Sequence, residues 1–159
     1  MKQKNYQNLT KNTLGKLPVW NLKDLYESPK AKNLNNDLNQ LRRITKKFEK
    51  KYTFKITKLS PSQLLKAIIE LENIDIKIDK IMSYAHLLVA EDGNNEKNKI
   101  FYQQMQEQIT NIASSIVFFS LELNEVSDAK LNKIYADKKL EPYKNWIKNI
   151  RKFTPYQLD

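Results

Sequence analysis

A chain of 159 residues, 40% apolar and with 16 aromatic side chains (2 Trp, 8 Tyr, 6 Phe), is one domain's worth of polypeptide, able to bury about 68–70% of its unfolded surface, which excludes a disordered chain. With no cysteine and a single histidine, His86, it excludes a disulfide scaffold, thiol catalysis and a histidine-built zinc centre, which usually takes three protein ligands; the helical signature His-Glu-x-x-His alone needs two histidines. The net charge of +10 makes it cationic, while the lack of an 18-residue apolar run, or of an apolar core behind Met1-Lys2-Gln3-Lys4-Asn5, leaves no membrane span and no signal peptide, so a cytoplasmic protein is expected.

Residues 1–16 are polar and rich in Lys and Asn, which predicts a flexible basic arm. Residues 17–159 are expected to form a single helical domain. Its entry, Leu17-Pro18-Val19-Trp20-Asn21-Leu22, is apolar and proline-stiffened, with Trp20 expected as an anchor against the body. Only two glycines, Gly15 and Gly93, leave little turn material, so the elements must be long, and long elements are helices. Ser28-Pro29 reads as a helix start. The stripe Leu34, Leu38, Leu41, Phe48, Tyr52 then recurs at helical spacing, with Lys46, Lys47, Lys50 and Lys51 on the outward side. Residues 53–60 alternate apolar and polar. With no second strand to pair, they read as a loop that points Phe54 and Ile56 inward.

Ser60-Pro61-Ser62-Gln63 is the clearest start signal: Ser60 can cap, Pro61 fits the first helical position and Gln63 completes a capping box. From there Leu64, Ile68, Leu71, Ile74, Ile78, Ile81, Ala85 and Leu88 sustain a stripe to about residue 90, roughly 45 Å of helix at 1.5 Å per residue. Asp92-Gly93-Asn94-Asn95 breaks it. A second stripe, Tyr102, Met105, Ile109, Ile112, Ile116, Phe119, Leu123, alternates steps of three and four like a coiled-coil seam. The expectation is an all-α bundle built on a long antiparallel helix hairpin, about 61–90 and 95–123, with shorter helices added. Adjacent apolar pairs such as Phe118-Phe119 and Ile68-Ile69 require cover on more than one side. Ser127 is expected to cap a short helix to about Ala136. Pro142 should open another, with Tyr143, Trp146, Ile147 and Ile150 facing in. Leu158-Asp159 would suit the lead into a further helix, because Asp is a strong N-cap; the ending reads as cut. No repeat of 20–50 residues points to a solenoid.

The charge is unevenly laid. Residues 1–58 carry +11, residues 59–137 carry −5 and residues 138–159 carry +4. Lysine supplies all but three of the cations (Arg42, Arg43, Arg151), whereas base-reading proteins favour the bidentate arginine fork. Lys, Asn and Ile share A/T-rich codons, so compositional bias suffices as an explanation, and a polyanion-binding surface is the alternative.

Chemistry-bearing constellations are thin. His86, alone on a long helix, reads as a surface residue; a general base would need an orienting partner. Glu72, Asp75 and Asp79 share a helix face with Lys77 and Lys80 nearby, which reads as a salt-bridged face. A carboxylate metal site in a bundle would use Glu-x-x-His motifs, and none occurs. Phosphate-binding Gly-rich loops and the Gly-x-Ser-x-Gly elbow are also absent from the sequence.

Several segments, taken in order, resemble oligoendopeptidase F, a family of cytoplasmic zinc metallopeptidases related to thimet oligopeptidase. Trp20-Asn21-Leu22-Lys23-Asp24-Leu25-Tyr26 is similar to the family's Trp-x-Leu-x-Asp-Leu-Tyr opening, and Ser83-Tyr84-Ala85-His86-Leu87, with Asp92 after it, to its Ser-Tyr-Ala-x-Leu helix. Phe118-Phe119-Ser120-Leu121-Glu122-Leu123 resembles Phe-Phe-x-Leu-Glu-Leu. The stretch Leu140 to Arg151, followed by Pro155 and Leu158, resembles the way out of the N-terminal domain. The resemblance covers residues 17–159. It implies an all-helical N-terminal domain forming one wall of a substrate channel for short peptides, with zinc and its ligands in a missing C-terminal catalytic domain, the implied partner. No catalytic, metal-binding or cofactor-binding residue carries over to this chain, which is then expected to be a truncated piece, inactive alone. The chain departs from the family in being basic. Two other readings stand beside this one: a basic helical module for nucleic acid or another polyanion, with nucleic acid disfavoured, and a docking domain for a separately encoded catalytic half.

Overall fold

The computed structural model describes residues 20–156. The predicted basic arm, the start of the apolar entry at Leu17-Pro18-Val19 and the ending at Leu158-Asp159 lie outside the described residues. The rest is all-α, with no strand among the described residues. Six α-helices follow in order: α1 (Lys32–Tyr52), α2 (Pro61–Glu91), α3 (Glu96–Ala113), α4 (Phe118–Asn124), α5 (Asp128–Ala136) and α6 (Lys144–Arg151), with short 3₁₀ turns between and around them.

α1 begins at Lys32, three residues beyond Pro29. Ser28-Pro29 forms a turn instead, closed by the Ala31 amide donating to the Ser28 carbonyl at 3.0 Å. The predicted stripe Leu34, Leu38, Leu41, Phe48 and Tyr52 is buried, joined by Thr45, whose hydroxyl donates back to the Leu41 carbonyl. Lys46, Lys47, Lys50 and Lys51 face outward. α2 starts as its sequence predicts. The Gln63 amide donates to Ser60 Oγ at 3.3 Å and the Ser60 amide donates to Gln63 Oε1 at 2.9 Å, a closed capping box with Pro61 at the first helical position.

α2 packs on both α1 and α3. Asn95 caps α3 by accepting from the Lys97 and Asn98 amides, and Asn98 Nδ2 donates across the turn to the Leu88 carbonyl at 3.0 Å. Tyr84 meets Phe101 edge-on at 6.0 Å and Tyr26 at 5.2 Å. The second long helix is shorter than predicted, ending at Ala113 rather than running to 123. Ser114 and Ser115 donate their hydroxyls to the Asn111 and Ile112 carbonyls. That competition with the amide ladder fits the tightening of Ser114–Ile116 into a 3₁₀ turn before α4 resumes the seam. Met105, Ile109, Ile112, Phe119 and Leu123 of the predicted stripe are buried even so.

Three aromatic expectations are corrected. Trp20 is 55% exposed, not an anchor. Phe54 is 83% exposed, because residues 53–58 turn rather than alternate: Phe54 takes a left-handed backbone (φ 62°) and only Ile56 faces in. Trp146 sits at the rim, 37% exposed with its ring 6.2 Å from Phe119, since Ile147 takes the inward position. Pro142 does not open α6; it lies inside the 3₁₀ turn Lys138–Tyr143 that precedes it. Ser127 stands at the N-cap of α5, but only its backbone carbonyl bonds the helix, to the Lys130 and Leu131 amides.

Candidate functional site

His86 is exposed on α2, its ring 6.1 Å from that of Tyr102. Among the described residues no three His, Cys, Asp or Glu side chains gather as a metal site. These side chains do not fit a zinc centre, and the resemblance implies zinc only in a domain beyond this one.

The acidic face of α2 is not the salt-bridged face expected. Lys77 and Lys80 turn away from Asp75 and Asp79 toward Asp37 of α1, at 3.7 and 3.3 Å. Asp37 Oδ2 also accepts from the Tyr26 hydroxyl at 2.8 Å, and Lys80 Nζ lies 4.5 Å from the centre of the Tyr26 ring. Desolvation pushes the Asp37 carboxyl up, but the Tyr26 and Lys80 hydrogen bonds and the two lysine charges outweigh it and hold it below the usual aspartate value. Burial, reinforced by Asp37, raises the Tyr26 hydroxyl well above the tyrosine range. Glu72 accepts instead from the Tyr143 hydroxyl at 2.8 Å, tying α2 to the segment before α6. Asp75 beside it is pushed up by desolvation and by the charges of Asp79 and Glu72.

Two polar devices, one buried and one partly buried, organise the C-terminal end, and sequence reasoning missed both. Glu122 of α4, 8% exposed, accepts from the Phe54 amide at 2.5 Å and from the Ile56 amide at 3.0 Å, one to each carboxylate oxygen. The carboxylate thus satisfies the donors of the 53–58 turn and holds Phe54 in its left-handed conformation. Lys130 of α5 grips the same turn, donating to the Thr57 carbonyl at 2.6 Å. Arg151, near the end of α6, donates through Nη1 to the carbonyls of Leu123, Asn124 and Val126 at 3.1, 2.7 and 2.9 Å, and through Nη2 to Asp128 at 3.3 Å. A guanidinium fork is suited to gather the free carbonyls at a helix C-terminus. The Phe-Phe-x-Leu-Glu-Leu segment contains Glu122, but nothing local announces that its partners lie 66 and 68 residues upstream.

Two clefts flank these elements. One, of about 520 Å³, lies between Ser28-Pro29-Lys30 and the start of α3 around Ile100 and Phe101. The other, of about 460 Å³, lies between α4 and the end of α6.

A solved structure shares this helical architecture. The chain superposes on the crystal structure of a "putative peptidase" from Chlamydophila abortus with a TM-score of 0.66 and 17% identity, covering 89% of this chain and 23% of the other. The chain thus spans about a quarter of the length of that protein. No curated protein matches it. The family model for Oligopeptidase F, which describes the N-terminal region of M3 peptidases, matches residues 122–159. The family match is to that C-terminal stretch alone, and what the chain shares with the solved structure is the helical fold. The matched segment holds Glu122 and Arg151, the two residues that fasten its short helices. Among the described residues, no helix is long and apolar enough to cross a membrane.

Proposed function

We propose that this chain is a truncated N-terminal domain of an oligoendopeptidase F-like enzyme that hydrolyses short peptides in the cytoplasm, and that it forms a wall of the substrate channel while contributing no catalytic group. The reading treats residues 17–159 as one domain and residues 1–16 as an appended arm. The observation that carries it is the family match over residues 122–159. The helical fold, shared over 89% of the chain with a much longer protein, supports it. The donor set is consistent with inactivity alone, because one histidine and no cysteine cannot supply a zinc triad of the family's kind. Zinc and the attacking water would be held elsewhere, and the role left to these helices is confinement of the peptide.

The test is a peptidase assay in two arms. The purified 159-residue chain with zinc should show no turnover of short peptides, and the chain joined to the polypeptide encoded after it should show turnover. Turnover by the chain alone that disappears in His86→Ala would refute the reading.

A further inference from the structure

Exposed apolar side chains gather at one end of the molecule. Leu121 of α4, Trp146 and Ile150 of α6, and Phe153 and Tyr156 of the closing turn line the cleft of about 460 Å³. Phe153 and Tyr156 are 68% and 81% exposed. An apolar surface shared by several aromatic residues on neighbouring elements is unlike the scattered exposed residues of ordinary surfaces, and such patches mark interaction sites. Arg151 joins the two helices that line it, its guanidinium donating from α6 to the Leu123 and Asn124 carbonyls at the end of α4.

We propose that this cleft is the surface on which the remainder of the peptidase docks, with an apolar segment of the polypeptide that follows this domain laid against Leu121, Trp146, Phe153 and Tyr156. The inference rests on the proposed function above. Three observations choose the occupant. Phe153 and Tyr156, in the last described turn, form part of the cleft wall, so the cleft lies where the described backbone leaves the helices. The chain spans only 23% of the peptidase whose fold it shares, so most of such a protein lies outside this domain and must meet it somewhere. The lining is apolar and aromatic in a chain of net charge +10; aromatic residues at the centre of a patch favour a protein interface, whereas a polyanion would seek the lysines of α1.

The chain has no cysteine, so single-cysteine probes report one position each. Leu121→Cys and Phe153→Cys, with Ile76→Cys on α2 as an exposed control outside the cleft, are labelled with a maleimide in the 159-residue chain and in the chain joined to the polypeptide encoded after it. The expected result is labelling at positions 121 and 153 at least tenfold slower in the joined protein, with position 76 unchanged. Hydrogen exchange of residues 144–156 in the unsubstituted proteins should show the same protection, which keeps the test valid if a variant misfolds. Equal rates in a joined protein that does hydrolyse peptides overturn the docking surface and leave the proposed function standing. A joined protein without peptidase activity, or no peptidase sequence to join, removes both. Labelling that slows as the 159-residue chain is concentrated alone assigns the cleft to a second copy and overturns the proposal.

Discussion

Residues 32–113 and residues 114–156 solve the same problem differently. The first region is three long helices whose buried stripes face one another, and its caps are local: Ser60 with Gln63, and Asn95 with the two amides just after it. Its longer-range polar links, such as Lys51 with Glu70 at 2.6 Å, lie on the surface. The second region is a series of short helices and 3₁₀ turns, of which α4 has seven residues and α6 eight. Helices of that length are marginal by themselves, because nucleation must be recovered over few hydrogen bonds. They are fastened by long-range side-chain bonds, Glu122 of α4 to the 53–58 turn and Arg151 of α6 to the end of α4. Long helices can be stabilised along their own length; short ones are fastened by side-chain bonds that reach to neighbouring elements.

The variant with the largest expected effect removes the seam between the two regions. The ring of Phe48 in α1, 2% exposed, lies 5.9 Å from both Phe118 and Phe119 and 4.9 Å from Tyr52. Phe48→Ala should destabilise the fold by about 3–5 kcal/mol, measured by denaturant unfolding. Unfolding of the 114–156 region ahead of α1–α3, seen by hydrogen exchange, would sharpen the contrast. A loss below about 1 kcal/mol would mean the regions do not share a core.

Next comes the long-range bond. Glu122→Ala leaves the Phe54 and Ile56 amides without their acceptor, and hydrogen bonds to a charged group contribute about 1.5–3 kcal/mol. Amide exchange at residues 54–58 should accelerate while the centre of α2 stays protected. Glu122→Gln, which keeps one carbonyl acceptor, should lose less. The local cap supplies the comparison: Ser60→Ala should lose about 1 kcal/mol, with fraying confined to the first turn of α2. Equal losses at the two positions would break the distinction between local caps and long-range bonds.

What could be read in the sequence follows the same division. The stripe from Leu34 to Tyr52, the capping box at Ser60 and the break at 92–95 each rest on residues within a few positions of one another, and period and turn chemistry expose them. The seam from Met105 to Leu123 is legible as a buried face, but the 3₁₀ step at Ser114–Ile116 is not, because the apolar pattern runs through it unbroken and the two serine hydroxyl bonds that accompany it leave no mark on that pattern. Phe54 was misplaced for a related reason. Alternation predicts a face only for extended backbone, and the Glu122 carboxylate that bends this turn lies far along the chain. The acidic face of α2 shows the same limit: helical spacing offers Asp75 and Asp79 as partners for Lys77 and Lys80, yet Asp37 on another helix takes both lysines.

That Asp37 cluster gives the smallest expected effect and a pH signature. The pairs are partly exposed, and such ion pairs contribute at most about 1 kcal/mol each. Because the folded state holds the Asp37 carboxyl below its usual value, the unfolded chain takes up its proton first as pH falls. The stabilisation is therefore complete above the ordinary aspartate range, near pH 4, and is lost as pH drops through the lower folded value. Tyr26 behaves with the opposite sense. Its raised hydroxyl gives a contribution present below about pH 10 and lost at higher pH. Asp37→Asn should flatten the acid limb of stability and bring the Tyr26 hydroxyl back toward the ordinary tyrosine range, visible as phenolate absorbance at lower pH in a spectrophotometric titration. A variant whose acid limb and tyrosine titration both match the parent would show that the Asp37 cluster contributes nothing to the joining of α1 and α2.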